Sequence, residues 1–99
     1  MGGFVGNPEE SIIIWSDYLK YRIELRGFEL SKIENIVRYS GERYFDTVTR
    51  RLIVVGKLDD RLVIIPYEKH GNEVIPVTIH ATTRQQISFR VKTGRFTYE

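Results

Sequence analysis

The chain has 99 residues, 41% of them hydrophobic and 28% charged, with a formal net charge of +2 and no cysteine. That describes one ordinary globular domain with a small core and argues against disorder. Disulfides and thiolate-bound metals are excluded, and no apolar run reaches the roughly 18 residues of a membrane-spanning helix.

Residues 1–11, MGGFVGNPEES, are expected to form a flexible tail ahead of a single α+β domain over residues 12–99. The tail lacks the basic start and apolar centre of a signal peptide. Together with the missing cysteines this fits a cytoplasmic address. Ile12, Ile13, Ile14 and Trp15 form a short apolar run and predict a first strand. Asp17 is suited to cap a helix from about Tyr18 to Arg26, and Gly27 supplies a left-handed stop. Ser31 and Glu34 have the spacing of a capping box. Leu30, Ile33, Ile36 and Val37 then repeat as one helical stripe, ending near Ser40 and Gly41.

Strands follow. Tyr44 to Val48 predicts one. Leu52 to Val55 and Leu62 to Ile65 are continuous apolar runs, as expected for central strands buried on both faces. Leu58, Asp59 and Asp60 read as the turn between them, and Lys69 to Asn72 as the next connection. Val74 to His80 predicts a further strand, with Ile75, Val77 and Ile79 on one face and Pro76, Thr78 and His80 on the other. Pro66 and Pro76 each lack an amide donor and should lie at strand ends or on an edge. The last segment carries two signals. Thr83, Gln86 and Gly94 mark the caps of a helix, whereas Ile87, Phe89 and Val91 alternate as in a strand. The helix is preferred, and on it Phe89 would face away from Ile87 and Val91.

The order β-α-α-β-β-β-β-α implies an α+β fold. It combines an antiparallel sheet of about four strands, two N-terminal helices and a C-terminal helix. The face opposite the N-terminal helices is left partly open and could be concave and basic.

No phosphate-binding loop, dinucleotide motif, nucleophile elbow or zinc signature is present, so no cofactor and no metal are expected. His80 is the candidate for proton transfer, at a strand end and off the core face. The alternative is a structural histidine bonded to the Thr82 or Thr83 hydroxyl. His70 sits in a turn beside Gly71 and is a weaker candidate. From Arg84 onward, Arg84, Arg90, Lys92 and Arg95 face one acid, Glu99. Such a cluster suits RNA, DNA or an acidic protein. Its alternative is ordinary surface charge, favoured near a helix C-terminus by the dipole. Arg22, Arg26, Arg50 and Arg51 share that ambiguity. RNA cleavage without a metal needs a base for the 2′-hydroxyl, cations for the phosphorane and an acid for the leaving oxygen. Arginine suits the second role because its fork is bidentate. Among the aromatics, Tyr67 is expected in the core and Tyr98 is left open.

Four stretches together resemble a known family. IIIWSDYLKYRIELRGFE, LIVVG, RLVIIPYE and VIPVTIHATTRQ, spread between Ile12 and Arg95, are similar to successive elements of BrnT-type toxins. These belong to the RelE-like superfamily of small α+β ribonucleases from type II toxin–antitoxin pairs. The resemblance implies RNA cleavage without a metal, inhibition of translation and neutralisation by a cognate antitoxin. DNA would be engaged only through the antitoxin, and no membrane is involved. The family carries His before the helix-ending glycine, Ser at the strand end and Arg shortly after it. This chain has Arg26, His80 and Thr82 there. The catalytic roles would then fall to His80, Arg84 and Arg26, with Arg84, Arg90, Lys92 and Arg95 on the RNA. The competing expectation is a non-catalytic module that binds RNA or protein through the same basic face.

Overall fold

The two continuous apolar runs form the middle of the sheet. In the computed structural model, which describes residues 10–99, they are the cores of β3 (Arg51–Leu58) and β4 (Arg61–His70). Around them lie β1 (Ile12–Ile13), α1 (Asp17–Leu25), α2 (Leu30–Tyr39), β2 (Glu42–Asp46), β5 (Glu73–Pro76), β6 (His80–Ala81), α3 (Arg84–Lys92) and β7 (Phe96–Tyr98). The sheet runs β1-β5-β4-β3-β2-β7, with β6 beside β4. The protein is therefore a mixed α+β fold with three helices and a seven-stranded open sheet among the described residues. The β3-β4-β5 meander is antiparallel, as expected between Leu52 and His80. The sheet is larger than four strands, and it is not purely antiparallel, because β1 pairs with β5 in parallel.

Both faces of β3 and β4 are covered. Val54, Val63, Ile65 and Tyr67 pack with Leu19, Ile23, Ile33 and Val37 of α1 and α2. On the other face Ile53, Val55 and Ile64 pack with Ile87 of α3, Tyr44 of β2 and Phe96 of β7. This explains why the two runs show no alternation: period 2 disappears when both faces are dry. Gly56 allows α2 to lie close on β3. A Cβ there would stand 2.6 Å from Ile36 Cγ2. Gly56→Ala is expected to destabilise the fold by about 1–3 kcal/mol through overpacking. Each kcal/mol lowers Tm by roughly 4–8 °C in a domain of this size. A thermal melt unchanged from wild type would contradict the close approach.

Several local expectations shift. The cap of α1 is Ser16, whose hydroxyl accepts from Leu19 N at 3.1 Å, and Asp17 is the first helical residue. Arg26 is the C-cap, and Gly27 follows in the left-handed region (φ +74°), as expected. The box from Ser31 to Glu34 does not form. The helix α2 begins two residues earlier, at Leu30 with Glu29 at the N-cap, and Glu34 pairs with Arg38 at 3.0 Å. Strand β2 stops at Asp46, not Val48, because Asp46 Oδ1 accepts from Val48 N and Thr49 N and turns the chain. Of the tail expected over residues 1–11, residues 1–9 lie outside the described residues. Ser11 is buried, and its carbonyl accepts from Arg38 Nη1 at 2.7 Å.

The strand expected over Val74–His80 is two strands with a break at 77–79. Pro66 is the reason. It sits inside β4 opposite Ile53, and its carbonyl accepts from Val77 N at 2.8 Å. In an antiparallel strand a residue's N–H and C=O face the same neighbour. The missing donor of Pro66 therefore faces 77–79, and the ladder cannot continue there. The break also resets the alternation. Val74, Pro76 and Ile79 are buried, whereas Ile75 and Val77 are half-buried. His80 begins again on β4, opposite Ile64.

Candidate functional site

Beyond the break the chain enters α3, and the helix reading of the last segment is the observed one. Thr83 caps it, its hydroxyl accepting from Gln86 N at 3.1 Å. Gln86 does not return the bond to complete a box. Its Oε1 instead accepts from the Thr82 hydroxyl at 3.1 Å. Ile87 is the one buried residue of α3, and Phe89 faces solvent at 67% exposure, as helical geometry requires. A helix held by so little leaves part of the sheet face open.

The opening is a cleft of about 410 Å³, within the usual range for ligand pockets. Its floor is apolar, formed by Ile53, Ile64, Pro66 and Phe96. Its walls carry His80, Gln86, Arg51, Arg90, Arg95 and Asp46. The break in the strand places His80 on the rim, exposed, and its imidazole has no hydrogen bond among the described residues. The alternative of a bond to Thr82 or Thr83 is thus not what the structure contains.

Each cation on the cleft is positioned differently. Arg90 has no acidic partner among the described residues, and its guanidinium carbon lies 5.5 Å from the Phe96 ring centroid. That contact holds the cation beside the apolar floor. Arg95 is held by Asp46 at both ends, Nε to Oδ1 and Nη2 to Oδ2, each at 3.2 Å. Arg51 reaches Glu68 at 3.4 Å, while its buried Nε has no hydrogen-bond partner among the described residues. An unbonded buried donor costs free energy unless water or a ligand meets it.

Asp46 organises this end of the cleft. It is 3% exposed, and it ties the turn after β2 to the turn before β7. Thr47 adds a second tie, its N–H donating to Arg95 O at 2.8 Å. Burial alone would raise the Asp46 pKa. The Arg95 guanidinium and the Val48 and Thr49 amides outweigh burial and hold the carboxyl below 3.8. A depressed native pKa stabilises the fold above the unfolded value, and that gain disappears as pH falls through the native value. Asp46→Asn should therefore cost most stability near neutral pH, with the difference from wild type shrinking below about pH 4. Urea melts at pH 7 and pH 3 check this, and an equal loss at both would contradict it.

The expected site residues are only partly brought together. His80, Arg90 and Arg95 share the cleft. Arg84 does not line it. Its Nη1 binds both carboxylate oxygens of Glu42, at 2.8 and 2.7 Å, outside the cleft. Glu42 in turn accepts from Tyr44 OH at 2.7 Å. Burial and that bond push the Tyr44 pKa up to about 12, so this phenol stays a donor. Lys92 is exposed and outside the cleft. Arg26 lies on the opposite face of the sheet. Its Nη1 donates to Ile79 O at 3.3 Å, in a second hollow beside Phe28 and Arg61. It does not line the cleft that His80 lines. The sequence offered no role for Asp46, while Arg51 stood among the ambiguous cations. Arg51 looked like any surface cation, and Gln86 looked only like a capping residue.

No group of three or more His, Asp or Glu stands close enough to hold a metal ion among the described residues. No described helix is long and apolar enough to cross a membrane. No protein-family model, no curated protein and no solved structure matches the chain.

Proposed function

We propose that the protein is an RNA-cleaving toxin of a type II toxin–antitoxin pair, of RelE-like fold, acting in the cytoplasm and neutralised by a cognate antitoxin. The observation that carries the reading is the convergence of His80, Arg90 and Arg95 on one cleft with an apolar floor. His80 takes the proton of a 2′-hydroxyl. The O2′ attacks phosphorus, the P–O5′ bond breaks, and a 2′,3′-cyclic phosphate and a 5′-hydroxyl result. Arg90 and Arg95 stabilise the phosphorane charge. Water at the open side of the cleft protonates the leaving O5′. The assignment moves the cationic role from Arg84 and Arg26 to Arg90 and Arg95, since only the latter pair shares the cleft with His80.

The test is incubation of the purified protein with a single-stranded RNA in the presence of EDTA. Fragments ending in cyclic phosphate are expected, and intact RNA would overturn the catalytic reading. A non-catalytic binding module is favoured by a different observation. Phe89 and Tyr98 are 67% and 77% exposed on α3 and β7, where they offer stacking surfaces without any proton-transfer group. Both readings place phosphates on the cations. Affinity should then fall with salt, each contact contributing about 0.7 to the logarithmic slope for a single strand. Replacing Arg90 and Arg95 with Gln should lower that slope by roughly 1.4, measured by fluorescence anisotropy between 50 and 200 mM salt. An unchanged slope would show that neither arginine meets a phosphate.

A further inference from the structure

Gln86 and Arg90 are one helical turn apart on α3, and both line the cleft. At that spacing their side chains are neighbours on one face, with Cβ atoms about 5–6 Å apart. The two offer different chemistry. The Arg90 guanidinium carbon lies 5.5 Å from the Phe96 ring centroid, which holds the cation at the apolar floor, and a guanidinium plane is a group on which a base can stack. The Gln86 amide is oriented by the Thr82 hydroxyl, 3.1 Å from Oε1, and Thr82 is itself anchored through its N–H to Leu62 O at 2.9 Å. That bond uses one lone pair of Oε1. The second lone pair and both amide N–H groups remain to face a ligand.

We infer that Gln86 and Arg90 form a nucleobase subsite, in which the base stacks on Arg90 and Gln86 reads its edge. A flat ring with adjacent donor and acceptor groups engages the Arg90 face and the Gln86 amide together, whereas a bare phosphate would use only the Arg90 edge. A phosphate attached to the same nucleoside then falls to His80, Arg95 and the edge N–H groups of Arg90, whose face alone the base occupies. The inference rests on the proposed RNA reading and adds base selectivity to it. It also accounts for the apolar floor, which phosphate recognition alone does not need.

Isothermal titration with inorganic phosphate, ribose 5-phosphate, AMP, CMP, GMP and UMP tests it. At least one nucleotide should bind about tenfold more tightly than ribose 5-phosphate. Gln86→Leu should remove that preference and leave ribose 5-phosphate binding unchanged. Thr82→Val, which frees the amide without removing it, should reduce the preference in part. A melt of each variant shows that the fold is kept. Equal binding of ribose 5-phosphate and all four nucleotides overturns the base subsite alone, as does a preference that survives Gln86→Leu. Absence of binding by every compound overturns both the subsite and the RNA reading.

Discussion

His80→Ala is expected to reduce RNA cleavage by about 100- to 10,000-fold, the usual loss on removing a general acid or base. The melting temperature should stay close to that of wild type. The reason is structural. The His80 side chain is exposed and its imidazole bonds to nothing among the described residues, so its removal breaks no contact. Its backbone still pairs opposite Ile64 in β4. A histidine retained for stability would give the reverse outcome, a lower melting temperature with full activity per folded molecule. Cleavage and melting measured on one preparation separate the two. A stable and fully active His80→Ala protein would end the catalytic assignment and leave the binding module. Expression in bacteria adds an independent readout: growth arrest by wild type and none by the variant.

The fold was legible in the sequence where one physical signal dominated. Leu52–Val55 and Leu62–Ile65 carry no polar residue, and only strands covered on both sides suit such runs. The helix from Leu30 was legible because Ile33, Ile36 and Val37 repeat at helical spacing. Its start was not. Ser31 and Glu34 have the right spacing for a cap, but spacing does not say which residue leaves the helical conformation. The strand expected over Val74–His80 breaks because its fate depends on Pro66, eleven residues before Val77 on the neighbouring strand. A missing donor acts across a ladder, and a single-strand pattern cannot show that. Strand β7 went unpredicted. Its three residues, Phe96, Thr97 and Tyr98, favour strands, and Gly94 precedes them with a positive φ of 80°.

The candidate site was legible by type more than by membership. A histidine at a strand end and a run of cations were visible in the sequence, and His80, Arg90 and Arg95 do meet. What the sequence hid was which cations line the cleft. Arg84 finds Glu42, 42 positions earlier in the chain. Arg26 projects on the other side of the sheet, since α1 and α3 cover opposite faces. Sequence proximity to His80 favoured Arg84, but its side chain turns to Glu42 and does not line the cleft.

The largest stability effect is expected at Arg43, on the face of the sheet away from the cleft. Arg43 is 8% exposed, in β2, beside the C-terminus of α2. Its Nε donates to Ser40 O at 3.0 Å and its Nη2 to Val37 O at 2.6 Å. Its Nη1 donates to Tyr67 OH at 3.0 Å. The side chain thus supplies donors to carbonyls that a helix end leaves unbonded, and its charge opposes the negative end of the helix dipole. Tyr67 is 2% exposed, so its hydroxyl has no ready replacement from solvent. Arg43→Met keeps much of the volume but removes every donor. Each buried acceptor left unmet costs about 1–3 kcal/mol, so a loss of roughly 3–5 kcal/mol is expected. That is a large part of the 5–15 kcal/mol typical of such domains. Arg43→Lys should recover only part, because one ammonium cannot reach three acceptors on different sides. Urea melts of the three proteins check the order wild type, Lys, Met. RNA cleavage per folded molecule should stay unchanged in both variants, since Arg43 does not line the cleft. A Met variant within 1 kcal/mol of wild type would show that α2 is held to the sheet by apolar packing alone.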